Sequence, residues 1–402
     1  MAKKKTIKLT TNPKRTGTLA DRLEQIVRTS WGKDTSFGVG FVAERLSSLP
    51  DCGVDSWLTT GSLLVDGVIQ RPGIPEGKLT VIHGKPASGK TTLACHLIVE
   101  AVRVGWEVVI IDGEDKFDPS RLLRIAQAKG VEIDLNNITY ARRCVLEQMF
   151  GLLIKTAKQA IGGMQKQKKG AADNTAKPKI IRPTLYIVDS HSSLPTYAEA
   201  ELEDDEVKNQ AWSARVTSHY LKRVIPLLGR ARIALVFVCQ PRQKIGMTAY
   251  AATGDTFLAE SPIRHHAILI LKTTHIQLLK KGDEPVGIVA EVKCTKSNIS
   301  SPHHACQVYC YNQTGIDESV PLLNLALRLN LVGFGKGGVY HLVSDKTVAF
   351  RRETWWSILH EHPELLEPLT AAAYRWVGKE KKGKDGSDAT EEKADGGEET
   401  KE

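Results

Sequence analysis

The clearest chemical signal in this 402-residue chain is Gly84-Lys85-Pro86-Ala87-Ser88-Gly89-Lys90-Thr91, which reads G-x-x-x-x-G-K-[ST]. Glycines at this spacing let the backbone curl until its N–H groups converge on phosphate oxygens. A helix opening behind the loop adds the positive end of its dipole. Lys90 is placed to reach the terminal phosphates and Thr91 to ligate Mg²⁺, with Gly84, Ala87, Ser88, Gly89 and Thr92 expected in the same cradle. Two carboxylates complete a hydrolytic set. Asp189 ends the run TLYIVD and suits the hydration shell of Mg²⁺ opposite Thr91, and Glu114 follows IIDG at a strand tip, where a water-activating base must stand. On its own Glu114 reads equally well as a solvated turn residue, and Asp112 and Asp115 are weaker candidates.

Such residues need a scaffold that gathers strand tips. The apolar runs at 78–84, 107–112, 184–189 and 233–239 alternate with helical patterns, as buried parallel strands covered on both faces do. The fold class is therefore α/β with a mostly parallel sheet. Further strand-like runs at 267–272, 287–294 and 305–311 lie close enough for hairpin connections. Helices are expected over 91–102, near 145–161 and over 211–228, the last with Trp212, Val216, Tyr220 and Val224 as a core stripe.

Around this core, taken as 46–312, residues 1–17 read as a flexible basic arm, and a helix followed by a short extended segment occupies 18–45. The Gly- and Lys-rich stretch 162–183 reads as a surface insertion, 313–377 as a small C-terminal lobe, and 378–402 as a basic, then acidic, disordered tail.

Lys and Arg number 55 against 46 Asp and Glu, a net charge of +9, which favours a polyanionic partner. Nucleic acid comes before an anionic membrane, because no basic amphipathic helix stands out. Seven cysteines without a paired framework suit a reducing compartment. With no apolar run of about 18 residues and no secretory leader, a cytoplasmic location is expected. His303, His304, Cys306 and Cys310 are metal-ligand types, but they lack a C-x-x-C pair and read better as part of a buried strand.

In order along the chain, these blocks resemble the RecA-type DNA recombinases, phage members included. Leu58-Thr59-Thr60-Gly61-Ser62, then Pro75-Glu76-Gly77-Lys78 and the phosphate loop, are similar to the family's approach to its core. IIDGEDKFDP (110–119) resembles its catalytic-glutamate block, Val188-Asp189-Ser190 its next block, and FVCQPRQKIG (237–246) the strand and start of its second DNA loop. The acid-rich Glu199–Glu206 falls at its first DNA-facing loop, and the likeness spans about residues 18–377.

The resemblance implies a RecA-like ATPase core, an N-terminal segment (18–45) that docks on a neighbouring protomer, and a small C-terminal α/β lobe. It further implies that Glu114 activates the attacking water, that Gln240 senses the terminal phosphate, and that Asp118 and Arg121 lie at the adenine. Lys296 would reach the phosphates bound by a neighbouring protomer, and Arg242, Lys244, Gly246 and Arg215 would contact DNA without reading its bases.

The sequence departs from the family at three points. Asn298 replaces a second lysine of the bacterial branch, leaving Lys296 alone or aided by Lys293; Arg121 replaces the aromatic over adenine; and a Gly-Gly pair is missing from 253–266. The expectation is an ATP- and Mg²⁺-dependent recombinase that forms filaments on single-stranded DNA and pairs it with homologous duplex DNA. Its further partners would be a single-strand binding protein and a loading mediator. A RecA-core helicase or motor would lack the QPRQKIG block, and a non-catalytic single-strand binding or mediator protein would not need Lys90, Thr91, Glu114 and Asp189 together.

Overall fold

The computed structural model describes residues 53–172, 182–201, 211–242, 256–257 and 259–376. The basic arm, the segment 18–45, Lys244, Gly246 and the tail 378–402 lie outside the described residues, as does most of the acid-rich segment.

A nine-stranded sheet organises the chain. Its strands are β1 (Leu79–Gly84), β2 (Glu107–Asp112), β3 (Ile138–Arg142), β4 (Thr184–Asp189), β5 (Ile233–Cys239), β6 (Leu269–Lys281), β7 (Glu284–Ser297), β8 (Ala305–Tyr311) and β9 (Gly315–Asp317). They lie in the order β9-β8-β7-β6-β1-β5-β4-β2-β3. β1 to β6 pair in parallel and β7 to β9 add antiparallel hairpins on one side. The α/β, mostly parallel sheet read from the sequence is therefore the fold, and the four runs expected as buried parallel strands are its adjacent strands β1, β5, β4 and β2. Every residue of β1 and β5 is buried, which is why their sequences are continuously apolar rather than alternating. Edge strand β3 is half-exposed and carries no such run, so periodicity gave no sign of it.

Helices cover both faces. α1 (Leu63–Ile69), α2 (Lys90–Arg103) and α3 (Pro119–Ala128) pack on one side, through Val65, Leu97, Ile98 and Leu122. α4 (Leu146–Ala172) covers the other through Phe150 and Leu153. The short α5 (Tyr197–Ala200) precedes α6 (Ala211–Ala231), which packs beside α4 through Val224 and Leu227, and α7 (Glu260–His266) adds Ile263. Tyr220 of the expected stripe stacks on Phe150 with centroids 5.0 Å apart, and Val224 is buried, while Trp212 stays partly exposed. α4 continues through Gly162 to Ala172, into the stretch read as an insertion. Gln, Lys and Ala dominate that extension and favour helix enough to carry it past the glycines.

Beyond the sheet, α8 (Ser319–Arg328), α9 (Trp355–Glu361) and α10 (Leu366–Trp376) surround a three-stranded sheet, β10 (Val332–Phe334), β11 (Tyr340–Leu342) and β12 (Ala349–Phe350). Trp355 is fully buried at its centre and stacks on Phe350. Glu318 ties this unit to the large sheet: its carboxylate accepts from Leu63 N at 2.8 Å, Leu64 N at 3.0 Å and the Ser62 hydroxyl. It therefore supplies the acceptors that the first turn of α1 lacks. Among the described residues no helix is long and apolar enough to cross a membrane.

Candidate nucleotide site

Parallel strands end at one rim, and the rim of this sheet gathers the chemistry. Asp112 is paired with Asp189 and His83 with Cys239, so the segments beyond β1, β2, β4 and β5 emerge side by side. The phosphate loop leaves β1 at Gly84, where a Cβ would stand 2.2 Å from the Thr273 carbonyl oxygen; only glycine fits there. Ser88 pins the loop to β6 through a 2.7 Å hydroxyl contact with Thr273, and Gly89 starts α2 from the left-handed region with φ +90°.

Lys90 is buried and its Nζ donates to the Lys85 carbonyl at 2.7 Å, within the loop. Burial lowers its pKa, against the opposing pull of the Asp189 and Glu114 charges. Thr91 Oγ1 donates to Asp189 Oδ2 at 2.9 Å, and burial raises the Asp189 carboxyl despite that bond.

Glu114 stands in a smaller cleft of about 200 Å³ lined by Thr91, Asp112, Lys116, Phe117, Arg121 and Asp189. Its Oε1 accepts from Ser190 Oγ at 2.9 Å, from Ser193 Oγ at 3.0 Å and from Gln240 Nε2; Lys116 Nζ reaches Oε2 at 3.1 Å. Partial burial works to raise its pKa, but the bonds from Ser190, Lys116 and Ser193 outweigh it and hold the carboxyl below its usual range. Glu114 is thus an ionised acceptor. Asp112 has another role: it accepts from Glu114 N, Phe117 N and the Tyr140 hydroxyl at 2.8 to 2.9 Å, folding the turn that presents Glu114.

A larger cleft of about 520 Å³ lies on the other side of the loop, lined by Ala87, Ser88, Gly89, Thr92 and Arg121 among others. Arg121 Nη2 donates to Thr92 Oγ1 at 2.6 Å and borders both clefts. The residues fit a magnesium-bound nucleoside triphosphate. Thr91 and Asp189 are paired hard oxygen donors of the kind Mg²⁺ takes, and Lys90 with the N-terminus of α2 suits the phosphates.

Other residues singled out in the sequence stand elsewhere. Asp118 caps α3 through Ser120 N at 2.9 Å and faces Arg124 at 3.5 Å; it is not among the residues lining either cleft. Lys296 pairs with Ile270, which lies beside Val81, whereas the loop leaves β1 at Gly84, so Lys296 is level with the end of β1 away from the loop; its Nζ donates to the Arg264 carbonyl at 2.5 Å. Lys293, three residues earlier in β7, pairs with Lys272, and Asn298 follows that strand. Arg242 lies just past Gln240 in a two-residue strand paired with Thr256–Phe257, and Arg215 is exposed on α6. Cys306 and Cys310 lie on β8, with Cys310 beneath Gly89.

Sequence reasoning missed Ser190, Ser193, Tyr140 and Thr273. The hydroxyl run Ser190-His191-Ser192-Ser193 directly behind Asp189 was the signal for the first two.

A phosphate loop after a central parallel strand, with carboxylates on the neighbouring tips, defines the class of phosphate-loop ATPases. Within that class the chain belongs to the RecA family: the family described as RecA N-terminal domain matches residues 24–153 and 175–317. The chain is similar to protein RecA of Campylobacter jejuni subsp. doylei, 27% identical over 347 residues, which cover 86% of this chain and 91% of that protein. It is also similar to protein RecA of Acholeplasma laidlawii, 26% identical over 84% of this chain and 91% of the relative. For protein RecA of Ureaplasma parvum serovar 3 the figures are 26% identity, 81% of this chain and 87% of the relative.

Proposed function

We propose that the protein is a DNA-dependent ATPase that assembles on single-stranded DNA and pairs it with a homologous duplex. The hydrogen bond from Gln240 to Glu114 carries this reading. It links the acceptor suited to activate water with the residue that opens the segment Arg242-Gln243-Lys244-Ile245-Gly246.

In this mechanism Lys90 and the loop N–H groups hold the triphosphate, and Glu114 orients the attacking water and accepts its proton. Thr91 and Asp189 would hold Mg²⁺, which when bound would supply charge neutralisation for the phosphates. Ser190 and Ser193 keep Glu114 ionised and aimed. The Gln240 amide has two partners in turn, Glu114 or the terminal phosphate, and each fixes a different start for the segment that carries Arg242 and Lys244. Those cations, with Arg215, bind backbone phosphate irrespective of sequence.

Asp118 and Arg121 serve the base end of the nucleotide, Asp118 by ordering α3. Lys296, turned away from its own loop, reaches the nucleotide of a neighbouring protomer, and residues 18–45 dock between protomers. The net charge of +9 agrees with a polyanionic partner. A single-strand binding protein and a loading mediator are the expected helpers, in a cytosol-like compartment.

The test is strand exchange by the full chain: circular single strands, homologous linear duplex, ATP and Mg²⁺, with joint molecules on gels and filaments by electron microscopy. Joint molecules that need ATP and homology support the reading. ATP turnover without filaments or pairing points to a helicase or motor instead.

A further inference from the structure

Among the described residues, those lining the wider cleft beside the phosphate loop include no aromatic side chain and no carboxylate. Its apolar lining is Ile288 and Cys310, on paired strands β7 and β8, with Cys310 against Gly89 of the loop; Arg121 and Arg124 of α3 and Asn312 and Gln313 beyond β8 supply its polar side chains. We propose that this site accepts guanine as well as adenine nucleoside triphosphates, with Arg121, Asn312 and Gln313 holding the base without selecting it. The proposal rests on the nucleotide reading above.

Adenine and guanine differ at one edge: adenine offers an N6 donor where guanine offers an O6 acceptor, and guanine adds donors at N1 and N2. Rejecting one of them takes a fixed donor or acceptor that the wrong base leaves unpaired. A carboxylate would favour guanine; Asp118, which the resemblance puts at the base, is engaged with Ser120 N and Arg124 and does not line the cleft. Asn312 and Gln313 are exposed amides, each with a donor and an acceptor that exchange places when the amide turns over. Asn312 is only weakly held, by a 3.4 Å contact to the Pro285 carbonyl. Either base edge can therefore be matched. Arg121 is fixed by one nitrogen to Thr92, leaving a guanidinium plane that stacks on any purine.

The test uses the full-length protein with Mg²⁺. Displacement of a fluorescent ATP analogue by ATP and by GTP gives relative affinities, and turnover with single-stranded DNA gives kcat/KM for each. Both ratios should lie within about tenfold, the range left when no fixed hydrogen bond discriminates. Arg121→Ala should weaken both nucleotides by the same factor, and Gln313→Glu, which fixes an acceptor, should shift the displacement ratio toward GTP by about threefold or more. ATP preferred by more than about tenfold, or a Gln313→Glu ratio equal to wild type, overturns the inference while leaving the ATPase intact. Binding and turnover of neither nucleotide overturn the nucleotide reading itself.

Discussion

The side-chain amide of Gln240, one residue past β5, donates to the carboxylate of Glu114, two residues past β2, and so bridges two strand ends that β4 separates. Ser190 and Ser193, just beyond β4, hold the same carboxylate oxygen from between.

This arrangement separates two kinds of damage. Glu114→Gln removes the ionised acceptor but leaves the phosphate cradle, so nucleotide affinity should stay near wild type while turnover drops by about 10² or more. Gln240→Ala leaves Glu114 with both serines, so turnover without DNA should persist and only its stimulation by single strands should vanish. Steady-state hydrolysis with and without DNA, alongside nucleotide binding, distinguishes the two.

At Gly84 the constraint is steric. A methyl group there would overlap the Thr273 carbonyl, 2.2 Å away, and β6 cannot retreat from β1 without breaking their parallel pairing. Gly84→Ala should lower stability by about 1–3 kcal/mol and remove most nucleotide affinity. Gly151→Ala is the control: nothing lies within 4 Å of a Cβ there, and the helix should gain up to about 1 kcal/mol. Thermal melts and nucleotide titrations of both variants check this.

His191 is fully buried against Phe237, its ring 4.6 Å away and its Nε2 3.3 Å from the Thr217 hydroxyl. Burial pushes its pKa down to about 3 from an ordinary 6.5. Below pH 6.5 the unfolded chain therefore binds the proton that the folded chain refuses, and stability falls as pH falls toward 3. His96, also near 3, acts in the same direction; Asp66, raised by burial to about 7, acts in the opposite one. The informative quantity is therefore a difference. His191→Phe should flatten the loss between about pH 6.5 and about 5 by as much as ~1.4 kcal/mol per pH unit. Denaturant unfolding at several pH values measures it, and equal slopes would contradict a neutral His191.

Glu76, buried before β1, accepts from Arg232 at 2.8 and 3.1 Å and from the Ser56 hydroxyl. Glu76→Ala should cost about 2 kcal/mol, less than a fully buried pair would because the Arg232 side chain is 37% exposed. Urea midpoints of wild type and variant give the value.

Much of this was legible in the sequence because its physics is local. The phosphate loop is contiguous, and the apolar runs at 107–112 and 233–239, too short for helices and flanked by Gly or Pro, read as buried strands. Glu114 could not be weighed by itself, since of the groups that hold it ionised only Lys116 is close in sequence, and Ser190 and Ser193 are remote. Edge strand β3 escaped notice because none of its five residues is buried, so burial imposes no apolar pattern on it. Asp112 read as a weak catalytic candidate because its bonds from Glu114 N and Phe117 N form only in the folded turn, and its bond from Tyr140 only once β2 and β3 pair.

The central claim is that ATP hydrolysis at Glu114 is coupled to single-stranded DNA through Gln240. The most direct measurement is the steady-state ATPase rate of the full chain across a titration of single-stranded DNA, for wild type and Gln240→Ala side by side. The account predicts a rate that climbs with DNA to a plateau at least about tenfold above the DNA-free value in wild type, and a flat response in the variant. A wild-type rate that ignores DNA, or a variant stimulated as strongly as wild type, would contradict it.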